Sequence, residues 1–308
     1  MNREITGLHH VTALASDAAR TNAFYTRVLG LRRVKTTVNF DKPDVYHLCY
    51  GDTLGRAGTV MTFFPMADAR PGRRGVSEVS CTAFSVPEGS LGFWRTRLRR
   101  AGFASETRAC DARRLSLRGP DDEALCLVEV ADDPREPYVA PGIAPDVAIR
   151  GLHGVELTLR DVAATAELLI AMGFAPQAPT GARRRFVLAG GNGAQTVDLL
   201  EAPDAPVAVQ GAGSVHHVAF SVPDRAAQDR VRVAMQQAGM RVTDVLDRFY
   251  FHAIYFRSPG GVLFEVATEA PGFEADEDRS ALGQALKLPD QHEHLRDWLT
   301  DRLQPLEA

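Results

Sequence analysis

Apolar and polar positions alternate with a period of two along four separate stretches of the chain: GLHHVTAL at 7–14, EVSCTAFSV at 78–86, GLHGVELTL at 151–159 and SVHHVAFSV at 214–222. Such alternation predicts strands with one buried face, and its recurrence marks an internal repeat of four modules. Each stretch runs into a helix-like segment that stops at a glycine, over 17–30, 87–102, 161–173 and 223–239, as suits a left-handed helix cap. More strand-like residues follow, and the last strand of each module comes after a Gly-rich or Asp-rich turn, at 55–59, 119–123, 190–193 and 258–261. The expected fold is therefore α+β, with four βαβββ-type modules pairing into two curved-sheet, barrel-like units that surround cavities.

Modules one and two occupy an N-terminal half, 1–133, and modules three and four a C-terminal half, 149–270. Between them, residues 134–148 carry Pro134, Pro137, Pro141 and Pro145, which cannot join a sheet interior, so this stretch reads as a linker. A charged C-terminal tail, 271–308, is expected to hold a helix from about Gln291 to Leu303.

With 308 residues, 45% of them hydrophobic, the chain can bury a substantial core. A net charge of -4 with scattered Lys and Arg gives no reason to expect nucleic acid or an anionic membrane as partner, which leaves a small molecule. Cys49, Cys81, Cys110 and Cys126 form no CxxC pair and are expected to be buried thiols in a reduced compartment. Without a signal-like start or an apolar run of about 20 residues, the protein is expected in the cytoplasm.

Aligning the modules locates candidate chemistry. The first strands place His10, Cys81, Gly154 and His217 at one position, and the last strands place Phe63, Glu129 and Glu265 near another. Only modules one and four together supply a full ligand set. Strand parity agrees: Val218, Phe220 and Val222 share a face with His216, Val262, Phe264 and Val266 form the apolar set of the last strand, and Val11 and Ala13 do so in module one. His217, Glu265 and His10 are thereby expected on the opposite, cavity-facing side. Two imidazoles and a carboxylate leave about three open positions on an octahedral metal, as non-haem iron(II) chemistry requires, whereas a structural zinc site would want four closed ligands. Glu129, with no histidine in its module, is left out of the site, and His47 and His252 are candidates to line it.

Through GLHHVT (7–12), VYHLCYGDTLGRAGTVMTFFP (45–65), VHHVAFSVPD (215–224), RSPGGVLFEVAT (257–268) and GFEADEDRSALGQALKLP (272–289), the chain resembles the vicinal oxygen chelate superfamily of glyoxalases, bleomycin-resistance proteins and extradiol dioxygenases. It most resembles the hydroquinone ring-cleaving dioxygenases. The resemblance implies metal ligands at His10, His217 and Glu265, catalytic roles for Arg248 and Tyr255, and neighbouring histidines at His9 and His216. The latter two lie on the helix-side parity, where hydrogen bonding to a ligand is expected. It further implies iron(II), with manganese(II) as an alternative, a small aromatic substrate and oxygen; assembly into a homo-oligomer stays open. Two other readings stay open: a glyoxalase-like isomerase or lyase using zinc or nickel, and a resistance protein that binds without chemistry.

Overall fold

The computed structural model describes residues 4–107, 113–179 and 181–307. Each alternating stretch opens a module. Module one comprises β1 (Gly7–Ala15), α1 (Ala18–Ala23), β2 (Arg32–Val38), β3 (Tyr46–Gly51) and β4 (Val60–Pro65). Module two follows with β5 (Glu78–Pro87), α2 (Leu91–Arg100), β6 (Ser105–Glu106), β7 (Arg114–Arg118) and β8 (Ala124–Val130). Module three holds β9 (Gly151–Leu159), α3 (Ala163–Ala171), β10 (Ala175–Pro176), β11 (Arg183–Val187) and β12 (Thr196–Glu201). Module four holds β13 (Val215–Val222), α4 (Arg225–Gln237), β14 (Leu246–Asp247), β15 (His252–Arg257) and β16 (Leu263–Thr268).

The helices start and stop for local reasons. Asp17 and Asp224 cap α1 and α4, accepting from Arg20 N at 2.7 Å and Ala227 N at 2.8 Å, which satisfies amide groups that no helical carbonyl reaches. The terminating glycines, Gly30, Gly102, Gly173 and Gly239, all have positive φ, where a Cβ would be strained. In module one the predicted helix widens into a π-turn over Phe24–Val28, with Phe24 and Tyr25 both buried.

Two eight-stranded sheets result, giving the expected α+β architecture. One runs β14-β15-β16-β13-β1-β4-β3-β2 and the other β10-β11-β12-β9-β5-β8-β7-β6. Modules one and four therefore share the first sheet and modules two and three the second, so each sheet takes one module from each half of the chain. Within a module the first and last strands are parallel; where modules meet, β1 with β13 and β5 with β9, they are antiparallel. The main core lies between the sheets and their helices, with Phe24, Trp94, Leu169 and Met235 packed with Val11, Phe84, Leu157 and Phe220.

The proline-rich stretch forms no strand, yet it is strapped down. The Arg135 guanidinium donates to Gly58 O at 3.0 Å and Leu152 O at 2.9 Å, and Ala140 and Ile143 are buried. The tail returns to module one, bridging Thr36 through Leu286 and packing Leu299 and Leu303 near Val38. Its helix, α5, spans Arg296–Arg302 after a 3-10 turn at Asp290–Leu295. Among the described residues no helix is long and apolar enough to cross a membrane. Cys49 and Cys126 are buried and Cys81 partly so; Cys110 lies outside the described residues.

Candidate metal centre

At the junction of β1 and β13 the sheet brings together residues from the two ends of the repeat. Val11, Ala13, Val218, Phe220, Phe264 and Val266 all enter the main core, and by alternation His10, His217 and Glu265 project from the other face. His10 Nε2 lies 3.2 Å from His217 Nε2, and Glu265 Oε2 lies 2.9 Å from His217 Nε2 and 3.5 Å from His10 Nε2. All three residues are buried, and Glu265 is fully so.

The donor set fits a metal ion. Neither Glu265 oxygen has a hydrogen bond of good geometry among the described residues, which leaves both free to face a cation. Ligand atoms about 2.1 Å from one ion stand about 3.0 Å apart on an octahedral face and about 3.4 Å apart on a tetrahedral one, and the observed edges bracket both. Burial pushes the Glu265 carboxyl upward, but the two imidazoles outweigh it and hold the group well below the ordinary carboxylate range. Burial lowers His217, with Glu265 partly opposing.

The neighbouring histidines depart from simple alternation. Leu8 and Val11 both belong to the main core although they are three apart, because β1 bulges at His9, between the pairs Leu8↔Phe220 and His10↔Ala219. The partner strand bulges at His216, between Thr12↔His217 and Ala13↔Val215. An extra residue at each point puts two consecutive side chains on one face. His9 and His216, expected toward the helices, thus stand beside His10 and His217: His9 Nδ1 is 2.9 Å from His10 Nδ1, and His216 Nδ1 is 2.7 Å from His217 Nδ1. Burial, with the adjacent imidazole of His10 or His217 adding to it, lowers His9 to about 3 and His216 to about 4.

A cavity of about 330 Å³ opens onto the triad. Phe40, Phe64, Phe251 and Phe273 give it aromatic walls. Arg248 and Tyr255 both line it: the Arg248 guanidinium lies 5.7 Å from the centre of the Tyr255 ring and reaches Asp41 Oδ2 at 3.2 Å. Burial, reinforced by Glu265, keeps the Tyr255 hydroxyl well above its ordinary pKa. His47 lines the cavity with Nε2 3.0 Å from Thr62 Oγ1, whereas His252 is not among the lining residues.

Observed register corrects the last-strand alignment. Glu265 pairs with Ala219, two residues beyond His217; the same step from His10 leads to Thr12 and its partner Thr62, and from Cys81 to Ala83 and Cys126. Thr62 and Cys126, not Phe63 and Glu129, therefore occupy the Glu265 position. Phe63 is in the main core, and Glu129 accepts from Leu91 N at 3.1 Å at the start of α2. In module three the position falls to Asp198, beside Glu156 and two residues past Gly154. Ion pairs serve that second cup: Arg185 and Arg114 hold Asp198 at 2.8 and 3.3 Å, and Arg183 holds Glu156 at 2.6 Å.

The model of the glyoxalase/bleomycin resistance protein/dioxygenase superfamily matches residues 7–183 and 151–266. The chain belongs to this superfamily. Within it, the chain is 39% identical over 302 residues, covering 97% of itself and 99% of its relative, to MhqE of Bacillus subtilis (strain 168), which is provisionally named a ring-cleaving dioxygenase. It is 34% identical over 308 residues to the chlorohydroquinone/hydroquinone 1,2-dioxygenase of Sphingobium indicum, covering 96% of itself and 95% of that protein. A crystal structure from Bacillus subtilis, described provisionally as a dioxygenase, superposes with a TM-score of 0.93 at 36% identity over 99% of both chains. Glyoxalase I from Zea mays shares the superfamily fold, with a TM-score of 0.64 at 13% identity over 85% of this chain and 92% of that one.

Proposed function

We propose that the chain is a ring-cleaving dioxygenase that holds iron(II) on His10, His217 and Glu265 and opens hydroquinone-type aromatic rings with oxygen. The observation that carries this reading is the buried triad with its unsatisfied carboxylate at the end of an aromatic cavity. Relatives named for hydroquinone and ring cleavage, aligned along nearly the whole chain, support it. A metal bound there supplies Lewis acidity and, as iron(II), a route for electrons from the ring to oxygen.

The chain's own residues account for the rest. A ligand that offers Nε2 to an ion carries its proton on Nδ1 and donates it to the neighbouring imidazole, so His9 and His216 act as neutral acceptors that fix the orientation of His10 and His217. Tyr255, held protonated, is a proton donor at its hydroxyl oxygen, and the fixed positive charge of Arg248 offsets negative charge on a substrate oxygen. Phe40, Phe64 and Phe251 keep a flat ring out of water. The free thiols of Cys49 and Cys81 support a cytoplasmic setting.

A glyoxalase-like use of the site would call for a further carboxylate from module one, and Thr62, hydrogen-bonded to Thr12 at 2.8 Å and to His47, stands there instead. The test is anaerobic reconstitution with iron(II), manganese(II), zinc(II) or nickel(II), followed by oxygen-electrode assays on hydroquinones and catechols. Oxygen uptake with a ring-opened product, dependent on iron or manganese and lost in His10→Ala, is expected. Turnover without oxygen would indicate an isomerase or lyase, and binding without turnover would indicate sequestration.

A further inference from the structure

One fully buried cation beside the cavity has no part in the chemistry above. Lys35 on β2 pairs in register with Cys49 of β3, and Cys49 lines the cavity. The Lys35 ammonium meets the Glu277 carboxylate, lies 2.6 Å from Asp276 Oδ1 and 3.1 Å from Phe273 O, and sits 4.8 Å from the centre of the Tyr250 ring. The Tyr250 hydroxyl in turn donates to Asp276 Oδ2 at 3.0 Å. Three ammonium protons thus find three acceptors, all within residues 273–277, just beyond β16. A buried charge whose partners are removed is left uncompensated, so this latch holds or fails as a unit.

The latch fixes Phe273 at its backbone, and packing fixes its ring. The ring lines the cavity, lies 5.2 Å from that of Tyr250, and rests against Gly55, where an added Cβ would fall 2.5 Å from Phe273 Cδ2. With about 330 Å³ available, the cavity is at the small end of ligand sites, which span about 300–1,000 Å³. In so small a cavity, a phenyl group held on both sides limits how large a substituent enters with the ring.

Building on the ring-cleaving reading, we infer that Phe273 is the specificity-determining residue for the size of the ring substituent, and that Lys35 is the positioning residue that holds it. The C-terminal segment is thereby a wall of the cavity, supplied from beyond the four modules.

The test compares hydroquinone, methylhydroquinone and tert-butylhydroquinone, reading kcat and KM with the iron(II)-loaded enzyme and Kd by anaerobic calorimetry with the zinc(II)-loaded protein. Phe273→Ala is expected to raise kcat/KM and affinity for the tert-butyl compound relative to hydroquinone by about tenfold or more, the scale of discrimination by a few methylenes. Lys35→Met is expected to raise KM and Kd for methylhydroquinone while kcat holds. Asp276→Asn, which keeps a polar partner for Lys35 and Tyr250, is expected to do the same more weakly and provides the test if Lys35→Met does not fold. An unchanged size ranking in Phe273→Ala, or an equal fall in kcat for every substrate in Asp276→Asn, overturns the inference. If the unaltered enzyme takes up no oxygen with any hydroquinone, the dioxygenase reading fails, while the anaerobic affinities still report whether Phe273 selects by size.

Discussion

Glu265→Gln preserves the shape of the side chain and removes the charge that the metal reading needs. In the metal-free protein this carboxylate is fully buried against two imidazoles that hold its pKa low, so its charge stabilises the fold at neutral pH and a neutral amide should lower the melting temperature. The additional stabilisation that a metal ion brings should be lost as well. Free metal at about 100 times Kd stabilises a folded protein by about 2.7 kcal/mol. An unfolding entropy of about 2.1 cal/mol/K per residue, over 308 residues, amounts to about 0.65 kcal/mol/K, which converts that stabilisation to about 4 °C. A hundredfold loss of affinity would leave about 0.4 kcal/mol at the same metal concentration, under about 1 °C. Calorimetry of chelator-treated protein titrated anaerobically with iron(II), manganese(II) or zinc(II) reads both effects. A Glu265→Gln variant with the full metal-dependent shift would refute the triad as the metal centre, and an unchanged or higher metal-free melting temperature would refute the account of the carboxylate.

Further expectations concern individual residues. His216→Ala should weaken metal binding about 10–100-fold, as loss of a ligand's hydrogen-bond partner does, measured by competition with a chelating dye. Gly154→Ala should destabilise by about 1–3 kcal/mol, read by urea unfolding, because the new Cβ would lie 2.1 Å from Thr196 O. Burial lowers His153 in the folded state to about 4, so the unfolded chain binds the extra proton between pH 6.5 and 4; stability should fall as pH drops through that window, and His153→Gln should flatten the slope. Glu123 acts in the opposite sense: burial raises its carboxyl to about 7, so its contribution is present below pH 4.5 and lost as pH rises through 7, and Glu123→Gln should abolish that component of melting temperature against pH.

The repeat, the helix stops and the triad were legible because each rests on periodicity. Alternation of Val218, Phe220 and Val222 leaves one place for His217, and the run Val262, Phe264 and Val266 does the same for Glu265. The bulges at His9 and His216 were not legible, since an inserted residue changes register without a residue type of its own to announce it, and both histidines consequently changed face. Apolar pattern alone also could not set the register of β4 and β8, where Phe63 and Glu129 were matched to Glu265 and strand pairing selects Thr62 and Cys126. The role of Lys35 depends on contacts with residues about 240 positions away, and no local pattern encodes such a meeting.

The sharing of one sheet by the first and fourth modules sets an order of assembly during synthesis. The second sheet is contiguous from Glu78 to Glu201 and can close while the chain is still growing. His10, however, must wait for His217, which is 207 residues later. At about 5–20 residues per second on the ribosome, that delay is roughly 10–40 s, during which the apolar face of β1 has no neighbouring β13. On the proposed reading, loading of the ion waits until module four has been made, and a fragment released before it would lack two of the three ligands.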